Sequence, residues 1–315
     1  MITVVLLFVL GLVLICLGGD RLVDAAVAIA RKIGIPQIVV GATIVSIGTT
    51  LPEVLVSTTA AFDGSVAITA GNAFGSVICN TALIAGVAQT IRPSRKVETK
   101  ALVWRACFFF AVILSMTAIG WMTGEFGRLT GLALIVLFAV YAVLNIKRAK
   151  VEGGEEEDAD EEELKNISVV KNLLVLAACA VMLFIGARLL VNNGIIIAEF
   201  LGVPERVIAV TFIALGTSLP ELVTSIMSLV KGYENVGLGN IIGANILNLL
   251  LVIGIPGAIA GIPLEAGTYQ IDMPLGILLM AILLVPIMIR KKGSRVQGIA
   301  LLGIYAVYCL FSFAA

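Results

Sequence analysis

"GTTLPEVLVS", Gly48 to Ser57, sets a proline, a carboxylate and two adjacent threonines inside a long apolar run. "GTSLPELVTS", Gly216 to Ser225, does the same 168 positions later. Around them the chain is oily: hydrophobic residues make up 60% of 315 and charged residues 13%, with a mean hydropathy of +1.10. A soluble chain of this size needs far more polar surface, so the composition is that of a polytopic protein whose solvent is a lipid bilayer. A helix breaker and a carboxylate are costly in that setting, and both occur twice.

Composition also narrows the chemistry. The net charge is zero and the pI is about 6.4, which argues against a nucleic-acid partner. Cys16, Cys79, Cys107, Cys179 and Cys309 all fall in apolar segments without paired spacing. They read as small core residues, not as disulfides or metal ligands. Histidine is absent, which removes the commonest transition-metal ligand and the usual proton shuttle and leaves oxygen chemistry. The first run, "ITVVLLFVLGLVLICLGG", lacks a basic start and a small-residue cleavage site, so it reads as a retained span instead of a signal peptide.

Apolar segments fall at 2–30, 36–62, 69–90, 101–123, 128–146, 168–198, 204–230, 235–260, 268–290 and 296–315. Each meets the roughly 20-residue requirement for crossing hydrocarbon. The runs are continuous, not alternating, so helices are expected over strands. Trp104 and Trp121 bracket the fourth segment at about 25 Å, a spacing that suits two interfacial anchors. Basic residues concentrate in alternate connections: Arg31 and Lys32, then Arg92, Arg95, Lys96 and Lys100, then the centre, then Lys231, then Arg290 to Arg295. The opposite connections hold only Arg128 and Arg206. By the positive-inside rule both termini face outward from the cell membrane and the centre is cytoplasmic. The central tract "KRAKVEGGEEEDADEEELKN" has glycines and dense like charge that cannot build a core, so it reads as a solvated linker.

The offset of 168 aligns more than the decapeptides. Glu53 falls on Glu221, Asn72 on Asn240 and Asn80 on Asn248, so that "GNAFGSVICN" (Gly71–Asn80) matches "GNIIGANILN" (Gly239–Asn248). Each half holds five spans. An odd number inserts the second copy upside down relative to the first, which is the build of secondary transporters with a midplane site. The expected fold is an all-α membrane protein of ten transmembrane helices in two inverted five-helix repeats, 1–146 and 168–315, joined by the linker 147–167.

Pro52 and Pro220 lack an N–H and crowd the carbonyls of Gly48 and Gly216, which predicts a broken helix at each motif. Freed carbonyls in lipid must face protein, water or an ion. Ser46, Thr49 and Glu53 lie at spacings of three and four, on one helical face, with Ala214, Thr217 and Glu221 as counterparts. Asn72, Ser76 and Asn80 form a second stripe, repeated by Asn240, Ala244 and Asn248. Two carboxylates with hydroxyls, amide oxygens and freed carbonyls make a hard-cation site fit for calcium or sodium. Asn80 and Asn248 are expected to face that site, and Asn72 and Asn240 to bridge helices. Asp20, Arg21 and Arg188 are expected to satisfy one another or to reach an interface.

These two pairs of motifs resemble the alpha-repeats of prokaryotic sodium/calcium exchangers in the cation/calcium exchanger superfamily, and the resemblance covers the whole ten-span layout. It implies a calcium site made by Glu53, Glu221 and oxygens of Thr49 and Thr217. It further implies flanking sodium sites that use Ser46, Thr50, Ser76, Ala214 and Ser218, with Asn80 and Asn248 near the centre. Segments 1 and 6 would slide against the remaining eight. No cofactor is implied, since calcium and sodium are the transported ions. Two positions depart from the pattern. Asn248 stands where some relatives, including those that co-transport potassium, resemble a pattern with an acid, and Ala244 stands where some have a serine.

The nearest alternative is a calcium/proton antiporter of the same superfamily, whose members resemble a pattern with a glutamate after the Gly-Asn pair. Here that stretch reads "GNAFG" and "GNIIG". A gated channel needs a continuous pore, usually from subunits around an axis, which two internal halves do not suggest. No nucleophile with a base or a metal triad can be assembled, so an enzyme is remote.

Overall fold

The computed structural model describes residues 1–95, 97, 99–152, 167–202 and 216–314. Lipid leaves backbone N–H and C=O groups no external partner, so the apolar segments close their hydrogen bonds within helices. These are α1 (Ile2–Ile33), α2 (Gln37–Phe62), α3 (Ile68–Ile91), α4 (Thr99–Thr123), α5 (Arg128–Glu152), α6 (Val169–Phe200), α7 (Leu219–Val230), α8 (Glu234–Ala260), α9 (Thr268–Arg290) and α10 (Arg295–Ala314). Eight are long and apolar enough to cross a membrane; α7 and α10 carry shorter apolar stretches. The described part of the seventh segment begins only at Gly216, so most of its first half lies outside the described residues.

Local signals set the helix ends. Gly34 closes α1 in the left-handed region at φ 69°, donating its N–H to Ala30, a conformation that costs glycine nothing. Ser168 caps α6 by accepting from the Lys171 N–H. α5 runs on to Glu152, so the start of the expected linker at Lys147 is helical. Residues 153–166 of that linker lie outside the described residues.

The helix break expected at Pro52 is not there. Pro52 sits inside the continuous α-helix Ser46–Phe62, and the departure from α geometry comes earlier, in a π-helical turn at Gly41–Val45. Pro52 takes away the one bond to the Gly48 carbonyl, and the helix continues through it. Pro220 occupies the first turn of α7, where its missing N–H costs no bond. Further π turns lie at Cys79–Ile84 in α3 and Asn248–Val252 in α8, which coincide under the 168-residue offset.

α8 is the centre of the molecule. Its most apolar stretch is 89% buried, against 22% for α1 and 28% for α6, so α8 is shielded by protein while α1 and α6 face lipid. α8 crosses α2 with no side chain between them. A Cβ on Gly41 would stand 2.2 Å from the Val236 carbonyl oxygen, and one on Gly239 would stand 2.2 Å from that of Ile38. α1 and α6 lie against each other in a similar way, Gly11 on the Leu190 N–H and the Gly186 carbonyl. One apolar cluster joins α3, α4, α8 and α9; a second joins α1 and α6 to Val40, Val45 and Val236.

Connections meet in two sets. The turn between α4 and α5 pairs with the turn between α8 and α9 as a short antiparallel ladder, β1 (Glu125–Phe126) on β2 (Ile262–Pro263). At the other set, Gly293 donates to the Ser94 carbonyl and Val97 to that of Lys291, and Arg92 pairs with Glu234. Lys231, just after α7, binds the carboxylates of Asp20 and Asp24 on α1, each at 2.7 Å. Asp20 therefore answers to Lys231, and Arg188 lies over the Phe184 ring at 4.8 Å. Of the two expectations for Asp20, Arg21 and Arg188, mutual pairing of Asp20 with Arg188 is not what is found; Asp20 instead ties α1 to Lys231 at the end of α7.

Candidate cation site

α2 and α8 cross where the first motif of one half meets the second motif of the other. The Thr49 hydroxyl donates to Asn240 Oδ1 at 3.2 Å, and the Thr217 hydroxyl donates to Asn72 Oδ1 at 3.4 Å. Under the offset of 168 these are one bond made twice. Asn72 also donates to the Glu53 carbonyl oxygen at 3.3 Å and to Ser57 Oγ at 2.9 Å. Both asparagines thus bind helix to helix. They hold the turn that carries Glu53.

Glu53 and Glu221 are fully buried, as are Ser46, Thr49, Asn80 and Asn248. Thr50 Oγ1 donates to Glu221 Oε1 at 3.2 Å. Because Thr50 precedes Glu53 by three residues on one helix face, this bond brings the Glu221 carboxylate beside the Glu53 turn. The other atoms there are open. Glu53 Oε1 and Oε2, Glu221 Oε2, Asn80 Oδ1, both amide atoms of Asn248 and Ser218 Oγ have no hydrogen-bond partner among the described residues. An unpaired buried polar group costs about 1–3 kcal/mol and an unpaired charge several times that. Seven such atoms on four helices, α2, α3, α7 and α8, are intelligible as a site for a cation.

The two halves are not used alike. Thr50 is engaged with Glu221, but among the described residues the equivalent hydroxyl oxygen, Ser218 Oγ, and the equivalent carboxylate, Glu53, have no hydrogen-bond partner. Free donor capacity lies on the Glu53 side. Of the other candidates, Ser46 turns its hydroxyl back to the Thr43 carbonyl at 3.1 Å, Ser76 is buried, and Ala214 lies outside the described residues. Thr217 is half-buried. Among the described residues no three His, Cys, Asp or Glu side chains converge, so the donor set is two carboxylates and neutral oxygens. Hard cations take such ligands; soft metals do not.

One residue at this site escapes the motif comparison. Asn245 is fully buried and its Oδ1 accepts from Asn80 Nδ2 at 3.2 Å. Its equivalent under the offset is Val77, so a search for repeated polar positions passes over it. A signal was present nonetheless, since a third amide inside "GNIIGANILN" is a polar intrusion in an apolar span.

A family model described as "Sodium/calcium exchanger protein" matches residues 3–147 and 171–314. The chain is 32% identical over 303 residues to the uncharacterized membrane protein MJ0091 of Methanocaldococcus jannaschii, covering 95% of each. It is 30% identical to the sodium/calcium exchanger MaX1 of Methanosarcina acetivorans, over 98% of each chain. A solved structure of the sodium-calcium exchanger NCX_Mj, soaked with sodium and strontium, superposes with a TM-score of 0.83 at 31% identity, covering 98% of both chains.

Proposed function

The chain belongs to the sodium/calcium exchanger protein family, a class of multi-pass membrane antiporters for calcium and other cations, and from that premise we propose that it exchanges sodium for calcium by alternating access at a site built on Glu53 and Glu221. The observation that carries this reading is the pair of buried carboxylates with three of their four oxygens unpartnered among the described residues. Their two charges balance one calcium or two sodium ions. Unengaged neutral oxygens on Ser218, Asn80 and Asn248 extend the ligand set toward the number calcium takes and leave room for a further sodium. Thr49, Thr217, Ser46, Thr50, Ser76 and Ala214 complete the proposed shell.

In this reading the ten spans form two inverted repeats in the plasma membrane, with both termini outside and the linker 147–167 in the cytoplasm. The lipid-facing, glycine-packed pair α1 and α6 slides past the core. Purified protein in sodium-loaded liposomes, diluted into sodium-free buffer, takes up calcium-45. Uptake driven by a pH gradient alone, and indifferent to sodium, overturns the sodium coupling in favour of proton exchange.

Transport is expected to be electrogenic. If three sodium ions leave as one calcium enters, one net positive charge moves outward per cycle. A lumen-positive potential then speeds calcium uptake and a lumen-negative one slows it. Rates that ignore a clamped potential would mean that only two sodium ions move.

Exchange is also expected to run equally well with potassium replaced by choline on both sides. Asn248 and Asn80 are neutral, so the site holds no third carboxylate for a large monovalent ion to balance, and an amide's N–H face repels cations. Asn248→Asp introduces potassium or proton sensitivity. Wild-type exchange that stops without potassium refutes this charge count.

A further inference from the structure

We propose that Asn245 is a positioning residue that dictates which end of the Asn80 amide meets the transported cation; this rests on the exchanger reading above. A chain of donors fixes the orientation. Thr81 Oγ1 lies 2.7 Å from the Val77 carbonyl oxygen, and a carbonyl only accepts, so the hydroxyl proton points to Val77. Thr81 then has lone pairs alone to offer. Asn245 stands 2.8 Å from that oxygen and must turn its NH2 toward it, with Met280 Sδ at 3.3 Å as a second acceptor for the same nitrogen. Its carbonyl oxygen therefore faces the other way, toward Asn80 at 3.2 Å. Asn80 must answer with its NH2. What remains of Asn80 is Oδ1, buried and without a partner among the described residues.

An amide that presents its oxygen binds a cation, and the same amide rotated by half a turn presents two N–H groups that repel it. The flip swaps nearly isosteric ends, so packing alone does not choose between them. The relay chooses. The other half lacks the relay pair: the equivalents of Asn245 and Thr81 are Val77 and Leu249, and both amide atoms of Asn248 are unpartnered among the described residues. The relay makes Asn80 a fixed oxygen ligand.

The test is calcium-45 binding to detergent-purified protein together with calcium-dependent uptake in liposomes. Asn245→Leu keeps the branched shape and removes the relay; Thr81→Val replaces only the hydroxyl, by a methyl. Each raises the half-saturating calcium concentration about tenfold, with the maximal rate changed by less than about twofold. Thr81→Ser, which keeps the hydroxyl, stays at the wild-type value. In an Asn80→Asp background either end of the side chain is an oxygen, so adding Asn245→Leu costs no further affinity. A purely structural role for Asn245 costs the same in both backgrounds. If Asn245→Leu does not fold, the Thr81 series decides. Wild-type protein that binds no calcium overturns the exchanger reading and the relay with it. Wild-type binding with unchanged affinity in Thr81→Val, or in folded Asn245→Leu, overturns the relay alone.

Discussion

Glu53→Gln and Glu221→Gln each lower sodium-driven calcium uptake by about 100-fold or more while the protein still folds. The proposed site carries two negative charges, and an amide removes one of them without changing the shape. A dication brought into that low-dielectric setting is left half-neutralised, and the loss of a buried partner charge typically costs about 3–5 kcal/mol. At about 1.4 kcal/mol per factor of ten, that is two orders of magnitude or more. Stability moves the opposite way. Glu53 has two unpartnered carboxylate oxygens among the described residues, so neutralising it relieves the ion-free protein and raises its Tm. The rise is smaller for Glu221→Gln, because Glu221 already accepts from Thr50. Calcium raises the Tm of the wild type by mass action and that of the variants hardly at all. Wild-type transport in either variant removes that glutamate from the site.

Gly239→Val abolishes transport by a different route, through loss of the folded protein. Any Cβ at this position stands 2.2 Å from the Ile38 carbonyl oxygen and 3.0 Å from the Ala42 nitrogen, and both are backbone atoms that no rotamer change moves. Overpacking in a close-packed interior costs about 1–3 kcal/mol even where side chains can give; here the α2–α8 crossing itself must open. That crossing sets the Thr49–Asn240 bond, so a partly folded population also loses the site. Gly303→Ala, exposed on α10 with nothing within 4 Å of the added carbon, serves as the control and keeps its monodisperse elution. Normal yield, thermal stability and transport in Gly239→Val would mean that α2 and α8 do not cross at this glycine.

Much of this protein is legible in its linear order because lipid is a strict solvent. It demands unbroken apolar helices, so most boundaries of the eight described spans follow from hydropathy to within a few residues. It penalises every polar intrusion, so Glu53, Glu221 and the paired asparagines stand out, and their common offset of 168 marks a repeated unit. The family follows from those motifs. Hydropathy and offset say nothing, however, about which polar atoms are already satisfied. That depends on partners far away in the chain: Asn245 reaches Thr81 across 164 positions and Thr49 reaches Asn240 across 191. Only the packed helices decide that Thr50 is engaged with Glu221 while Ser218 and Glu53 are open among the described residues, that Asp20 answers to Lys231, and that Pro52 rides within a continuous helix. The orientation of the Asn80 amide belongs to the same class. A hydrogen bond needs its partner within about 3 Å, and only tertiary packing brings residues so distant in sequence to that separation.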